Sequence, residues 1–396
     1  MVKIYFGLLN VLLSISFVCS FQISALQQTL LPRWKQRVGI PTPLYATWSN
    51  GQAIKEYQDF LSSGRSTLDT TEDGPSVIIT PDPFNPTPLA SALFKMGDGE
   101  DILLSPTDPI PTTLGNRESF PIYICVPNTL LDDVIGVNLF SLWEDKRDDL
   151  VYVTTTKGNI EPVLKNFGLP RDATSQLLVG FTVPTNSNFF PMDLSVKYGE
   201  DSQAMDKFAG ESCATGKWRD AIAQRLNNKM IRCKSCFYRE WKRDMWEKSA
   251  FDAVFNLMGA VIGDGTTIAE VAEFYGDDAS EMAWQMSSML RGSNAIALSY
   301  GFEERMFEYA VASCKDTVCT IEPDTWDFVN GVFLETSLKG LSMGFGDPAP
   351  LHTEYVDLAV NKRGLLQGKE VIIPGADKIQ RKSIMREGNL RADGAI

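Results

Sequence analysis

The chain has 396 residues, 44% hydrophobic and 22% charged, long enough for two core-bearing domains. Its net charge of −13 argues against nucleic acid or an anionic membrane as a partner of the folded part. A single histidine, His352, argues against zinc hydrolysis and against a Ser/His/Asp triad.

At the N-terminus, Lys3 precedes an apolar run over residues 4–19. That run is too short, and too broken by Ser, Gly and Asn, for a membrane span. Cys19 and Ser20 offer a cleavage site before Phe21, so residues 1–20 read as a signal peptide. From Phe21 to Lys55 the chain carries Arg33, Lys35, Arg37 and Lys55 and no acid. A signal peptide followed by such a segment resembles the bipartite plastid presequence of algae with complex plastids. The expectation is a transit-like segment at 21–50 and import into the plastid stroma, since no second apolar signal follows. A plain secretory signal is the alternative. Residues 51–75 read as a short amphipathic helix, AIKEYQDFL, and a polar linker, and no stable membrane span is expected in the mature chain.

Residues 76–105 organise the rest of the chain. SVIIT is a β-branched apolar run that reads as a strand, Leu89, Leu93 and Phe94 follow at helical spacing, and DILLS reads as a second strand. In a dinucleotide-binding unit the intervening loop is G-x-G-x-x-G, whose glycines let the backbone approach a pyrophosphate on the helix N-terminus. Here it reads Pro81, Asp82, Pro83, Phe84, Asn85, Pro86, Thr87. It holds no glycine, three prolines that lack an N–H, and a carboxylate where phosphate would lie. Pro88 removes one more donor from the first helical turn.

PIYICVPN (121–128), DLVYVTT (149–155) and LLVGFTVP (177–184) read as further strands, with a short helix over 130–140. Strands alternating with helices predict an open parallel sheet. From about residue 206 the pattern turns helical, at 217–226, 239–262, 268–275, 279–290 and 303–313. The expected fold class is α/β: a Rossmann-like parallel sheet domain at 76–205, then an all-α C-terminal domain at 206–355. A basic tail at 356–396 is expected to be partly disordered.

Seven strings then stand in one order: MGDGEDILL, VPNTLLDDVI, DLVYVTTTKGNIEPVL, KWRDAIAQRL, MWEKSAFDAVFNLMGAVIGDGTTIAEV, WDFVNGVFLETS and DPAPLHTEY. Together they resemble the ketopantoate-reductase-like, 6-phosphogluconate-dehydrogenase-like NAD(P)-binding Rossmann family, in its plant and algal branch. The resemblance implies an NAD(P)-binding domain, a helical substrate domain that could also form a homodimer, and hydride transfer in active members. Cofactor-binding positions would be Pro81, Asp82, Phe84, Asn85 and Thr87 of the degenerate loop, with Asn128. After DLVYVTT the reductases read Gln-Asn-Gly; here Thr156, Lys157 and Gly158 stand there, so Lys157 replaces the usual Asn. Their substrate-domain helix carries Lys-x-x-x-Asn, the Lys protonating the carbonyl oxygen as hydride arrives. Lys248 remains, Asp252 replaces the Asn, and Asn256 fits a second asparagine of ketopantoate reductases.

The residues themselves leave alternatives open. Lys248, Asp252 and Asn256 share one helix face. They read either as a proton donor with its orienting groups or as an internal ion pair. Cys233 and Cys236 form a CxxC that reads as ordinary thiols, as a light-linked redox pair, or, with Cys314 and Cys319, as a metal site; no metal residues are assigned. His352, flanked by prolines, is expected at the surface or in a cap. Trp241, Trp246 and Phe251 are at core spacing. Two functions remain: a plastid binding or assembly protein with weakened or lost dinucleotide binding and no cofactor, or an NAD(P)H-dependent reductase of a small keto acid. Its partner would be an unidentified plastid protein or a small-molecule ligand.

Overall fold

The computed structural model describes residues 72–154, 159–169, 172–183, 190–198, 208–366 and 371–372. The presequence, the expected helix AIKEYQDFL, Lys157 and most of the basic tail lie outside them. The strands are β1 (Val77–Ile79), β2 (Ile102–Leu104), β3 (Ile122–Ile124), β4 (Leu150–Thr154), β5 (Ser175–Leu178), β6 (Phe181–Thr182), β7 (Met192–Asp193), β8 (Val196–Lys197), β9 (Phe208–Ala209), β10 (Ser212–Thr215) and β11 (Cys233–Ser235). Among the described residues the main sheet has seven strands in the order β11-β10-β5-β4-β3-β1-β2. β1 pairs in parallel with both β2 and β3, Ile78 facing Leu103 on one side and Tyr123 on the other. β4 continues the parallel run on β3, and β5 on β4. The fold class is therefore α/β, as the strand–helix alternation implies, with a helical C-terminal region.

Alternation along the strands builds two cores. Ile78, Tyr123, Val151 and Leu177 face α1 (Pro88–Met96) and a later helix over 219–227. Val77, Ile79, Ile122, Ile124 and Tyr152 face α2 (Asn128–Asn138) and α3 (Glu161–Asn166). That later helix, α4 (Arg219–Asn227), matches the periodicity of Trp218, Ile222 and Leu226.

Two features differ from the sequence expectation. LLVGFTVP is not one strand, because it breaks at Gly180, where an added Cβ would lie 2.2 Å from the Gly210 carbonyl oxygen. The close pass of these two segments needs a glycine. β10 and β11 also lie beyond residue 205, inside the stretch expected to be helical. Ser212-Cys213-Ala214-Thr215 and Cys233-Lys234-Ser235 are too small and polar to announce strands. β10 nevertheless joins β5 antiparallel and carries β11 in parallel.

Arg225 of α4 fastens the entrance to the sheet. Its guanidinium donates to both Asp101 carboxylate oxygens at 3.0 and 3.1 Å, to Ser76 Oγ at 2.8 Å, to the Gly74 carbonyl at 2.7 Å and to Asp73 at 3.0 Å. It thereby joins the start of β1 to the start of β2.

The helical region is organised on α5 (Tyr238–Ile262), close to the expected 239–262. Trp241, Trp246 and Phe251 of α5 are buried, as their spacing predicts, and Phe255 is buried with them. Around it stand α6 (Ile268–Phe274), α7 (Gly276–Asn294), α8 (Phe302–Ala312), α9 (Gly331–Ser342) and α10 (Pro350–Asp357). α6 starts on a capping box, Thr267 with Glu270. Val356 and Leu358–Val360 pack into the same core, so ordered helix runs past residue 355 to a single π-helical turn at Leu358–Lys362.

No helix among the described residues is long and apolar enough to cross a membrane.

Candidate functional site

The chain leaves β1 for β2 on one side, and β3 lies on the other. Ligands of open α/β sheets bind outside the carboxyl ends of the strands at such a switch. Here those ends are Thr80 and Cys125, and the Pro81–Thr87 loop lies over them. Asp82 accepts the Phe84 N–H at 2.9 Å, closing its own turn. The Thr87 N–H donates to Thr80 Oγ1 at 3.1 Å. Thr87 is the N-cap of α1: its hydroxyl accepts from the Ala90 N–H at 3.3 Å and donates to the Cys125 carbonyl at 3.1 Å. The Phe84, Thr87 and Ala90 amides thus bond within the protein, and Pro81, Pro83, Pro86 and Pro88 have none to offer. The loop is stapled across the switch rather than curved around a vacant nest. Phe84 is fully exposed to solvent. Asn85 is exposed too, and Asn128 is buried at the first turn of α2.

The second cluster is on α5. Lys248 Nζ donates to Asp252 Oδ1 at 2.6 Å, with only 12% and 6% of the two side chains exposed. The ammonium also stands 5.0 Å from the Phe251 ring and 5.6 Å from the Tyr309 ring. Asn256 Nδ2 donates to the Asp252 carbonyl at 3.1 Å, and Asn256 Oδ1 accepts the Thr320 N–H at 3.4 Å. Asp252 and Asn256 line an open pocket with Thr320, Glu322, Trp326 and Asn330.

The structure brings Lys248, Asp252 and Asn256 together, with a proton of Nζ directed at Asp252. Burial pushes the Tyr309 phenol well up and the neighbouring Cys314 thiol up, which keeps both protonated.

Residues that the sequence reading missed join this pocket to the sheet. Asn159, just after the β4 loop, donates its N–H to the Phe328 carbonyl at 2.8 Å. Its Oδ1 accepts the Glu161 N–H, and Glu161 in turn accepts from the Tyr238 hydroxyl at 2.7 Å. Asn159 Nδ2 and Thr154 Oγ1 are buried at the same end of β4 with no hydrogen-bond partner among the described residues. The only sequence signal was position, an Asn directly after the Thr-Lys-Gly loop.

One further expectation is corrected. His352 is neither at the surface nor in a cap: it is fully buried in α10, its Nε2 3.1 Å from Asn330 Oδ1 behind the pocket. Burial alone lowers its pKa from 6.5 to about 3. Between those values the unfolded chain holds the proton and the folded chain does not. The stability it contributes is complete above about pH 6.5 and is lost as pH falls toward 3. His352→Gln is expected to flatten the acid limb of stability against pH by up to about 1.4 kcal/mol per pH unit. Urea titrations of both proteins between pH 4 and 6.5 check this, and parallel limbs would refute it. The CxxC is also divided. Cys233 packs with Leu226 and Ile231 on the α4 side, while Cys236 joins Cys213 and Trp241 in the core around α5.

No protein-family model matches the chain, and no curated protein matches it in sequence. Solved structures do. D-mandelate dehydrogenase with NADH is similar over 74% of this chain and 100% of its own, at 11% identity and a TM-score of 0.44. The 2-dehydropantoate 2-reductase of Methylococcus capsulatus is similar over 75% and 99%, at 12% identity and a TM-score of 0.47. The dimeric ketopantoate reductase of Staphylococcus aureus is similar over 74% and 100%, at 12% identity and a TM-score of 0.43. The structural matches are to the ketopantoate reductase and mandelate dehydrogenase family. What this cleft can hold is decided by its own residues.

Proposed function

We propose that this chain is a binding or assembly protein on a reductase-type α/β scaffold, its dinucleotide binding weakened or lost. The observation that carries the reading is the loop at the β1/β3 switch, whose Phe84 and Thr87 amides are bonded to Asp82 and Thr80. Charge-assisted bonds from such amides to a pyrophosphate contribute about 1.5–3 kcal/mol each. Losing two of them weakens binding by about 10²–10⁴. The residues present do not fit NAD(P).

NADPH titration of the mature chain, by fluorescence and thermal shift, tests this. The expected result is no saturable binding below about 100 µM. A micromolar Kd, which at a hundredfold excess would add about 2.7 kcal/mol of stability, returns the chain to the reductases. In that second reading, favoured by the placing of Asn256 at a pocket beside Asp252, which Lys248 contacts, Lys248 is the proton donor and Asn256 orients substrate. The acid-free segment after residue 20 supports location in the plastid stroma. Residues 1–55 fused to a fluorescent protein test it, and export of the fusion would refute it.

A further inference from the structure

We infer that Cys213, Cys236 and Asp244 form a zinc site that ties the last strands of the sheet to α5. The two sulfurs and a carboxylate oxygen lie within 4.8 Å of one another. Two sulfurs on one tetrahedral zinc stand about 3.8 Å apart, given bonds of about 2.3 Å, so the site closes by small side-chain movements. Three different elements supply the ligands: β10, the residue after β11, and the second turn of α5. The backbone holds two of them in register, since the Cys236 N–H donates to the Ala214 carbonyl at 2.8 Å, next to Cys213.

The charge around the cluster favours a cation. Lys234 Nζ faces Asp244 Oδ2 at 2.8 Å, Glu211 at 3.4 Å and Glu240 at 3.9 Å. Three carboxylates outnumber the two cations there, Lys234 and the Arg232 guanidinium that acts on Glu211, in a partly buried place. Asp244 has a second oxygen to give, and Lys234 keeps Glu211 and Glu240 if that carboxylate turns. The reaction needs no electron transfer: Zn²⁺ replaces one proton on each of the two thiols, both protons go to water, and the net charge of the cluster is unchanged. Two thiolates and one carboxylate select zinc over magnesium or calcium, which take oxygen ligands. Water completes a fourth position on the partly exposed Asp244 side.

The test is elemental analysis of the mature chain, purified from zinc-supplemented cells without chelator, together with cobalt(II) substitution. The expected result is one zinc per chain and a thiolate-to-cobalt charge-transfer band. Cys213→Ser and Cys236→Ser should each abolish the band. Asp244→Asn, which leaves both core cysteines in place and guards against misfolding, should weaken zinc at least about tenfold, since loss of even an outer partner costs that much. Cys233→Ser, on the other side of the sheet, should change nothing. A folded wild-type chain without stoichiometric zinc overturns the inference. So does zinc that survives the Cys213→Ser, Cys236→Ser double substitution, or a Cys213–Cys236 disulfide found by mass spectrometry in the freshly purified protein.

Discussion

Replacing Arg225 with methionine is expected to destabilise the folded protein by about 3–5 kcal/mol, read as a lower urea midpoint. The cost comes from what the substitution leaves behind. Asp101 has a side chain only 1% exposed, and its oxygens would face no guanidinium. Ser76, Gly74 and Asp73 would lose donors in the same step. Burial opposes the Arg225 charge, but Tyr123, Asp101 and Asp73 around it outweigh that and push its pKa up. Asp73 is only partly compensated, since burial raises its carboxyl despite the arginine. The control is a double substitution, Arg225→Met with Asp101→Leu. Removing both members of a buried pair is often close to neutral, so it should recover much of the loss. A single substitution costing under about 1 kcal/mol would show the cluster to be solvated and the argument wrong.

That cluster also shows where the sequence stops being legible. Its partners lie 124 and 152 residues apart along the chain, and no periodicity links them. By contrast, β1, α1, β2 and β3 are local patterns of branched residues, helical spacing and prolines, and they fold as they read. The degenerate loop was legible for the same reason, because missing glycines and missing N–H groups are properties of residue type. Its direction was not. Asp82 turns back on its own loop and Phe84 faces solvent, outcomes set by the turn and by the Thr87 staple. β10 was invisible because its small polar residues are buried by neighbours on both faces, which no strand propensity reports. His352 misled because α10 is buried on every side, so no polar face marks the helix for what it is.

Lys248 decides between the two functional readings, and its substitution carries the second large effect. Lys248→Met is expected to cost about 3 kcal/mol of stability, because it strands a nearly buried Asp252 carboxylate beside Phe251 and Tyr309. Asp252→Leu alone should cost a similar amount by stranding the ammonium. The double substitution, Lys248→Met with Asp252→Leu, should cost no more than either single one, giving a coupling energy of about 3 kcal/mol in a double-mutant cycle. A lysine kept for proton transfer behaves differently: its partner orients it without being its sole reason for burial, and the two single effects would add. The 2.6 Å bond and the two rings against the ammonium favour coupling. Strong coupling identifies a helix-internal ion pair where the reductases have a donor and a neutral amide. That result, with NADPH failing to bind, separates this cleft from hydride transfer at both of its chemical positions. Additive single effects would instead restore Lys248 to the catalytic reading, whatever the loop at Thr87 does.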